Sequence, residues 1–245
     1  MTENILQNKY KIIELVGSGS QTEVYLGENL ENNEKIAVKK LKLSDSKEWK
    51  TIELFQRGVK VLKNLNHSGI PKFVDSFYID SEADREYYLI EEFIDGETLQ
   101  KKLENGNFFD ISEIYAFTKD MLEILNYLHN LHPPIIHRDI KPSNIMIDKN
   151  NKIYLIDFGT IQKEVFKKDG GSTIVGTLGY TPPEQLMGKS VLQSDLYSVG
   201  ATIIHLLTHK SPSELELKNM TIQYKNLVNI DNNFKLFIDK MIEPD

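Results

Sequence analysis

The spacing of apolar residues along this chain changes from a strand period to a helix period, and the change restricts the folds open to it. Residues 10–42 hold three short apolar runs, "YKIIELVGSGS", "TEVYLGENL" and "KIAVKKLKL", broken by "GSGSQ" and "ENNE". Such runs between turn-forming clusters predict an antiparallel meander. From about Ser46 to Leu65 the residues Ile52, Phe55, Val59 and Leu62 recur every three or four positions, the stripe of an amphipathic helix. "KFVDSFYI" and "YYLIEEFI" return to strand character around the hairpin loop "SEADRE". Beyond "DGETL" the pattern is mainly helical. One long stripe over 111–131 runs through Ile114, Phe117, Met121, Ile124, Leu125 and Leu128; an apolar, buried helix spans 192–208; the last stretch is "FKLFIDKMI". Two short strands, "NIMID" and "KIYLID", flank the turn "KNN". A strand-rich part followed by a helix-rich part implies separate cores, so the expected class is α+β with two lobes, residues 1–94 and 95–245, joined at "EEFIDGE".

Composition removes several chemistries. There is no cysteine, which excludes disulfides, thiolate metal sites and cysteine nucleophiles and fits a reducing compartment. A net charge of −7 leaves no broad basic field for nucleic acid. The first residues, "MTENILQNKYKIIELVG", lack a basic segment followed by an apolar one, and no apolar run reaches the roughly 18 residues needed to span a membrane. The expectation is a soluble, cytoplasmic protein that engages neither nucleic acid nor membrane through this chain. The six histidines show no zinc spacing; His129 and His132, beside Pro133 and Pro134 at a helix end, read as structural. "GSGS" precedes a strand, not a helix, which excludes a Rossmann or Walker loop.

Five motifs follow one another in a fixed order. "GSGSQTEV" (Gly17 to Val24) lies between two strands, where glycines let a hairpin lie close over a triphosphate and offer it backbone N–H groups. "IAVK" ends in Lys39 on the third strand. "HRDIKPSN" packs His137, Arg138, Asp139, Lys141 and Asn144 between two apolar runs. "DFG", Asp157 to Gly159, follows the strand "KIYLI" and offers a hard carboxylate oxygen. "GTLGYTPPEQL" is followed by "SDLYSVG".

In this order, over essentially the whole chain, these motifs resemble the protein-kinase family, and "HSGIPKF" and "SDLYSVGATIIHLLT" resemble its bacterial-type serine/threonine members. The resemblance implies a bilobal protein-kinase-like fold, with a small β-rich N-lobe carrying one long helix and a larger, mainly helical C-lobe. It implies ATP with Mg²⁺ (or Mn²⁺) as cofactors and protein substrates bearing serine or threonine. By resemblance, Gly17, Gly19, Val24, Ala37, Lys39, Glu92, Ile94, Met146 and Asp157 bind the nucleotide, and Thr22 stands where the family has a third glycine. Lys39 holds the α- and β-phosphates, Asp139 orients the acceptor hydroxyl, and Lys141 steadies the γ-phosphate. Asn144 and Asp157 hold metal, and His137 stacks beneath the loop. Asp195 braces the catalytic loop from the helix beneath. Arg138 receives an activation-segment phosphate at Ser172 or Thr173, and Thr177 lies near the acceptor hydroxyl.

Two departures stand out. In the family an acid on the first long helix pairs with the strand lysine, nine positions before the histidine of "LNHSGIP"; here that position is Gly58. Glu53, five residues earlier, is about 500° of helix rotation away and faces elsewhere. The resemblance also places Glu91 at the gatekeeper position, behind the nucleotide and near Lys39, where a lone buried carboxylate is costly. The expectation is that Glu91 pairs with Lys39 and partly replaces the missing acid. The other departure is the end of the chain. In the family "KMIEPD" leads into a further helical segment whose arginine pairs with the acid at Glu184, which implies a C-lobe shortened at its end. The leading expectation is an active serine/threonine kinase. The alternative is a pseudokinase or nucleotide-binding scaffold with little phosphotransfer, suggested by Gly58.

Overall fold

The computed structural model describes residues 5–19, 22–41, 48–80, 85–160, 162–163, 176–218 and 220–244. It separates into two compact units, Met1–Asp95 and Gly96–Asp245.

The first unit holds β1 (Ile5–Leu6), β2 (Tyr10–Ser18), β3 (Thr22–Asn29), β4 (Glu34–Leu41), α1 (Glu48–Leu62), β5 (Phe73–Asp80) and β6 (Arg85–Glu92). Its strands form one six-stranded antiparallel sheet in the order β1-β2-β3-β4-β6-β5. Alternation divides the sheet into two faces. Leu6, Tyr10, Ile36, Val38, Tyr88 and Ile90 form the core on one face, with Ile12, Tyr25, Phe77 and Ile79 packed against it. Phe77 stacks between Tyr10 and Tyr88 at ring separations of 6.0 and 5.3 Å. Ala37 and Lys39 on β4, and Leu89 and Glu91 on β6, lie between these core residues in sequence. They therefore face the other side, and a slip of one residue would exchange the two sets. The irregularities in the β2–β3 pairing at Ile12/Glu14 and Leu15/Gly17 are bulges of the kind that sharpen twist at a sheet rim.

The second unit holds β7 (Gly96–Thr98), α2 (Leu99–Glu104), α3 (Ile111–His129), β8 (Ile135–Ile136), β9 (Ile145–Asp148), β10 (Ile153–Leu155), β11 (Gln162–Lys163), α4 (Pro183–Leu186), α5 (Leu192–Thr208) and α6 (Asn232–Met241). A capping box starts α3: Asp110 accepts from the Glu113 N–H at 2.9 Å, and Glu113 accepts from the Asp110 N–H at 2.8 Å. Its buried stripe is Ile114, Phe117, Met121, Ile124, Leu125 and Leu128, as the periodicity predicts, with Thr118 beside them. The helix α5 is buried over most of its surface. Gly200 lets α6 approach it, because a Cβ there would meet Met241 and Ile242 at 2.9 and 2.8 Å. No described helix is long and apolar enough to cross a membrane.

Several short elements go beyond the sequence expectation. β1, β7 and α2 are two, three and six residues long, too short to show a period of their own. β7 exists because β9 supplies a hydrogen-bonding edge, with Gly96 opposite Asp148 and Thr98 opposite Met146. At Gly96 the chains approach so closely that any Cβ would overlap the Ile147 carbonyl. Gly96→Ala is therefore expected to destabilise the protein by about 1–3 kcal/mol through overpacking. Thermal unfolding followed by circular dichroism should show a midpoint lowered by several degrees; an unchanged midpoint would contradict the close approach.

Candidate active site

In the first unit the glycine hairpin joins β2 to β3. Gly17 pairs with Val24 across the ladder, and the Gly19 N–H donates to the Thr22 carbonyl at 2.8 Å; Ser20 and Gln21 lie outside the described residues. Neither glycine is demanded by the packing of its own hairpin. A Cβ on Gly17 or Gly19 would come no nearer than 3.8 or 3.7 Å to another atom. The space beside each of them is therefore not filled by the hairpin's own packing.

Lys39 sits on β4 opposite Val24 of β3 and Leu89 of β6. Its Nζ lies 2.5 Å from Glu91 Oε1, and the two side chains are only 13% and 5% exposed. The pair expected from the vacancy at Gly58 is present. Ala37, also expected to line a nucleotide site, is Glu91's register partner. Ile94 is buried, and Glu92 ends β6 with its carboxylate accepting from the Lys72 N–H at 3.2 Å.

In the second unit one carboxylate organises the loop between β8 and β9. Asp195 of α5 has no exposed surface. Its Oδ1 accepts from the Arg138 N–H and its Oδ2 from the His137 N–H, each at 2.9 Å, and His129 Nε2 lies 3.0 Å from Oδ2. Arg138 is held in the left-handed region at φ +73°, a strained conformation for arginine. It is secured from both sides, since the Gln185 amide donates to the Arg138 carbonyl at 2.7 Å. The His137 ring is buried and meets Phe158 edge-on, with centroids 5.0 Å apart.

This frame presents a compact polar cluster. Asp139 Oδ2 accepts from Lys141 Nζ at 2.8 Å and from Asn144 Nδ2 at 2.9 Å. Asn144 Nδ2 also donates to the Asp139 carbonyl at 2.8 Å. The Thr177 hydroxyl donates to Asp139 Oδ1 at 2.9 Å and accepts from Lys141 Nζ at 2.8 Å. The Ile156 N–H donates to the Asn144 carbonyl at 2.9 Å, so Asp157 follows directly from a residue tied to Asn144. Asp157 is exposed, at φ +65°, with Oδ1 accepting from the Gly159 N–H at 3.2 Å. Met146 lies on β9 opposite Tyr154. Asn144 spends its amide N–H groups on Asp139 and keeps its oxygen as an acceptor. That oxygen and the Asp157 carboxylate are hard donors, few in number, which suits a small divalent cation that retains water and phosphate ligands.

Not every expected residue joins the cluster. Arg138 Nε donates to Ser190 Oγ at 3.0 Å, a partner that nothing in the sequence suggested. Ser172 and Thr173 lie outside the described residues. Glu184 is buried; its Oε1 accepts from Ser194 Oγ at 2.9 Å, and its Oε2 has no hydrogen-bond partner among the described residues. Ser190 lies outside the quoted motifs, and Gln185, though inside "GTLGYTPPEQL", carries no sign of its role, because each acts through a contact about fifty positions away in sequence. Asp195→Asn keeps the shape of the brace but turns an amide N–H₂ toward one of its backbone donors. The expected cost is on the order of 1–3 kcal/mol, measured as a lower midpoint in denaturant unfolding.

Comparison with known proteins agrees with this arrangement. Residues 10–245 match the family model described as the protein kinase domain. The chain is 34% identical to serine/threonine-protein kinase PknA of Nostoc sp. strain PCC 7120, over 98% of this chain and 44% of the relative. It is 36% identical to serine/threonine-protein kinase C of Synechocystis sp. strain PCC 6803, over 89% of this chain and 42% of the relative. It is 30% identical to serine/threonine-protein kinase PknB of Mycolicibacterium smegmatis, over 86% of this chain and 34% of the relative. The chain thus spans less than half the length of these curated relatives. With the motif order, the polar cluster around Asp139 and a family match over nearly its whole length, the chain belongs to the protein kinase domain family.

Proposed function

We propose that this chain is an ATP-dependent serine/threonine protein kinase that transfers the γ-phosphate to protein hydroxyl groups. One observation carries the reading: an alcohol, that of Thr177, is already seated between Asp139 and Lys141. An acceptor serine or threonine replacing it would meet a carboxylate that accepts its proton and a cation beside the incoming phosphoryl group.

Each unit supplies its own part. In the N-lobe, Met1–Asp95, the glycine hairpin lets phosphate oxygens come close to the backbone, and Lys39 neutralises their charge. In the C-lobe, Gly96–Asp245, Asp139 orients the acceptor oxygen and takes its proton, while Lys141 offsets charge on the transferred group. Asn144 and Asp157 would hold Mg²⁺, which when bound spreads and neutralises phosphate charge. Asn144 has a second task, since its N–H bonds to Asp139 fix the carboxylate's rotamer. Little covalent work falls to the protein; catalysis is positioning and prearranged charge. Val24, Ala37, Glu92, Ile94 and Met146 contact the nucleotide in this reading, and phosphorylation at Ser172 or Thr173 with Arg138 as receiver belongs to it. Its partners are proteins bearing serine or threonine, and its location is the cytoplasm.

The test is transfer of labelled phosphate from ATP to a serine/threonine peptide library. Asp139→Asn is expected to lower kcat by about 10²–10⁴-fold without loss of ATP binding. EDTA should abolish transfer, and added Mg²⁺ or Mn²⁺ should restore it. No transfer by the wild-type protein, with metal supplied, would overturn the reading.

A further inference from the structure

The partner of Lys39 comes from its own sheet. α1 offers no carboxylate at the position where related kinases place one, because Gly58 stands there, buried at mid-helix. The one acid among the described side chains of α1 is Glu53. It is exposed and bonds Arg57 at 2.8 Å, one turn along the same helix. The sheet is different. Lys39 is the register partner of Leu89, and Ala37 that of Glu91, so Glu91 is the diagonal neighbour of Lys39 on the same face. Diagonal neighbours lie about 7–8 Å apart, within reach of long side chains, and the small Ala37 beside them leaves the path clear. Strand register fixes both backbones, so the meeting of the two charges requires no movement of any helix.

Burial adds to this. Both side chains are nearly nine-tenths buried or more, with an N–O separation of 2.5 Å. Salt screens such a pair much less than an exposed one, and removing one member strands the other charge. Such a contact holds an otherwise flexible four-carbon stem in one place. We propose that Glu91 is the positioning residue for Lys39: carried by the sheet, its carboxylate holds the ammonium for the nucleotide's phosphates, so that the lysine's placement does not depend on α1. The inference rests on the kinase reading above.

A double-mutant cycle read by ATP binding tests it. The ATP·Mg²⁺ dissociation constant is measured by titration calorimetry for the wild type, Glu91→Gln, Lys39→Met and the double variant. KM and kcat are measured alongside. Glu91→Gln keeps the side-chain shape and is expected to weaken ATP binding and raise KM by at least about tenfold. In the Lys39→Met background the same change should cause no further loss of ATP affinity, because Glu91 then has no ammonium to position. A merely structural Glu91 would weaken binding equally in both backgrounds, and that result overturns the proposal. So does a Glu91→Gln protein with wild-type affinity and KM. If Glu91→Gln alone does not fold, Lys39→Met against the double variant, in which no buried charge is stranded, still decides the matter: a double variant that binds ATP no more weakly than Lys39→Met supports the proposal, and one that binds it more weakly overturns it. A wild type that binds ATP but transfers no phosphate would refute the kinase reading while leaving the cycle readable. A wild type that binds no ATP overturns both.

Discussion

The loop between β8 and β9 depends on a carboxylate that has left water entirely. Asp195 is completely buried, and an unpaired charge in that position would be strongly unfavourable. Three donors converge on it, two of them consecutive backbone amides of the loop it supports. The interaction works in both directions: the loop satisfies the carboxylate, and the carboxylate holds His137 and Arg138 in the conformation that presents Asp139. The left-handed backbone at Arg138 is the local cost of that presentation, and the bond from Gln185 to its carbonyl helps to sustain it. The burial of α5 therefore governs where the Asp139 carboxylate points.

In the first unit the same problem is solved by alternation. One face of the sheet is a close-packed cluster of aromatic and aliphatic side chains. The other carries Lys39 and Glu91, which neutralise each other away from water. The apolar cluster locks the register, and the register brings the charges together. A polar function on one face is thus enforced by hydrophobic packing on the other. The outlying charges follow a milder rule: Lys40, on the core-bearing face, reaches Glu86 near the sheet's rim, where both remain partly exposed.

Much of this was legible in the residues. The stripes over 111–131 and 192–208, and the strands flanking "KNN", appear nearly as periodicity places them, because long amphipathic elements carry their own signal. The order of the motifs indicated which side chains belong together at Asp139. Even the partner of Lys39 could be inferred from Gly58 and an acid at an unusual position. What the residues did not disclose is of a different kind. β7 exists only because β9 offers it an edge. Ser190 meets Arg138 and Gln185 its carbonyl only because α4 and the turn after it fold back onto the loop.

The linear sequence by itself determined the long elements, the chemical inventory and the family. These follow from periodicity and from residue types at short, fixed spacings, which local geometry translates directly. Tertiary structure alone decided which carboxylate meets which donor. Asp195 acts on residues 57 and 58 positions away, and Glu91 meets a lysine on a neighbouring strand through register rather than proximity in the chain. Pairings of that kind have no local signature. They are set when packed faces leave one arrangement in which Asp195 meets the loop's amides and Glu91 meets Lys39.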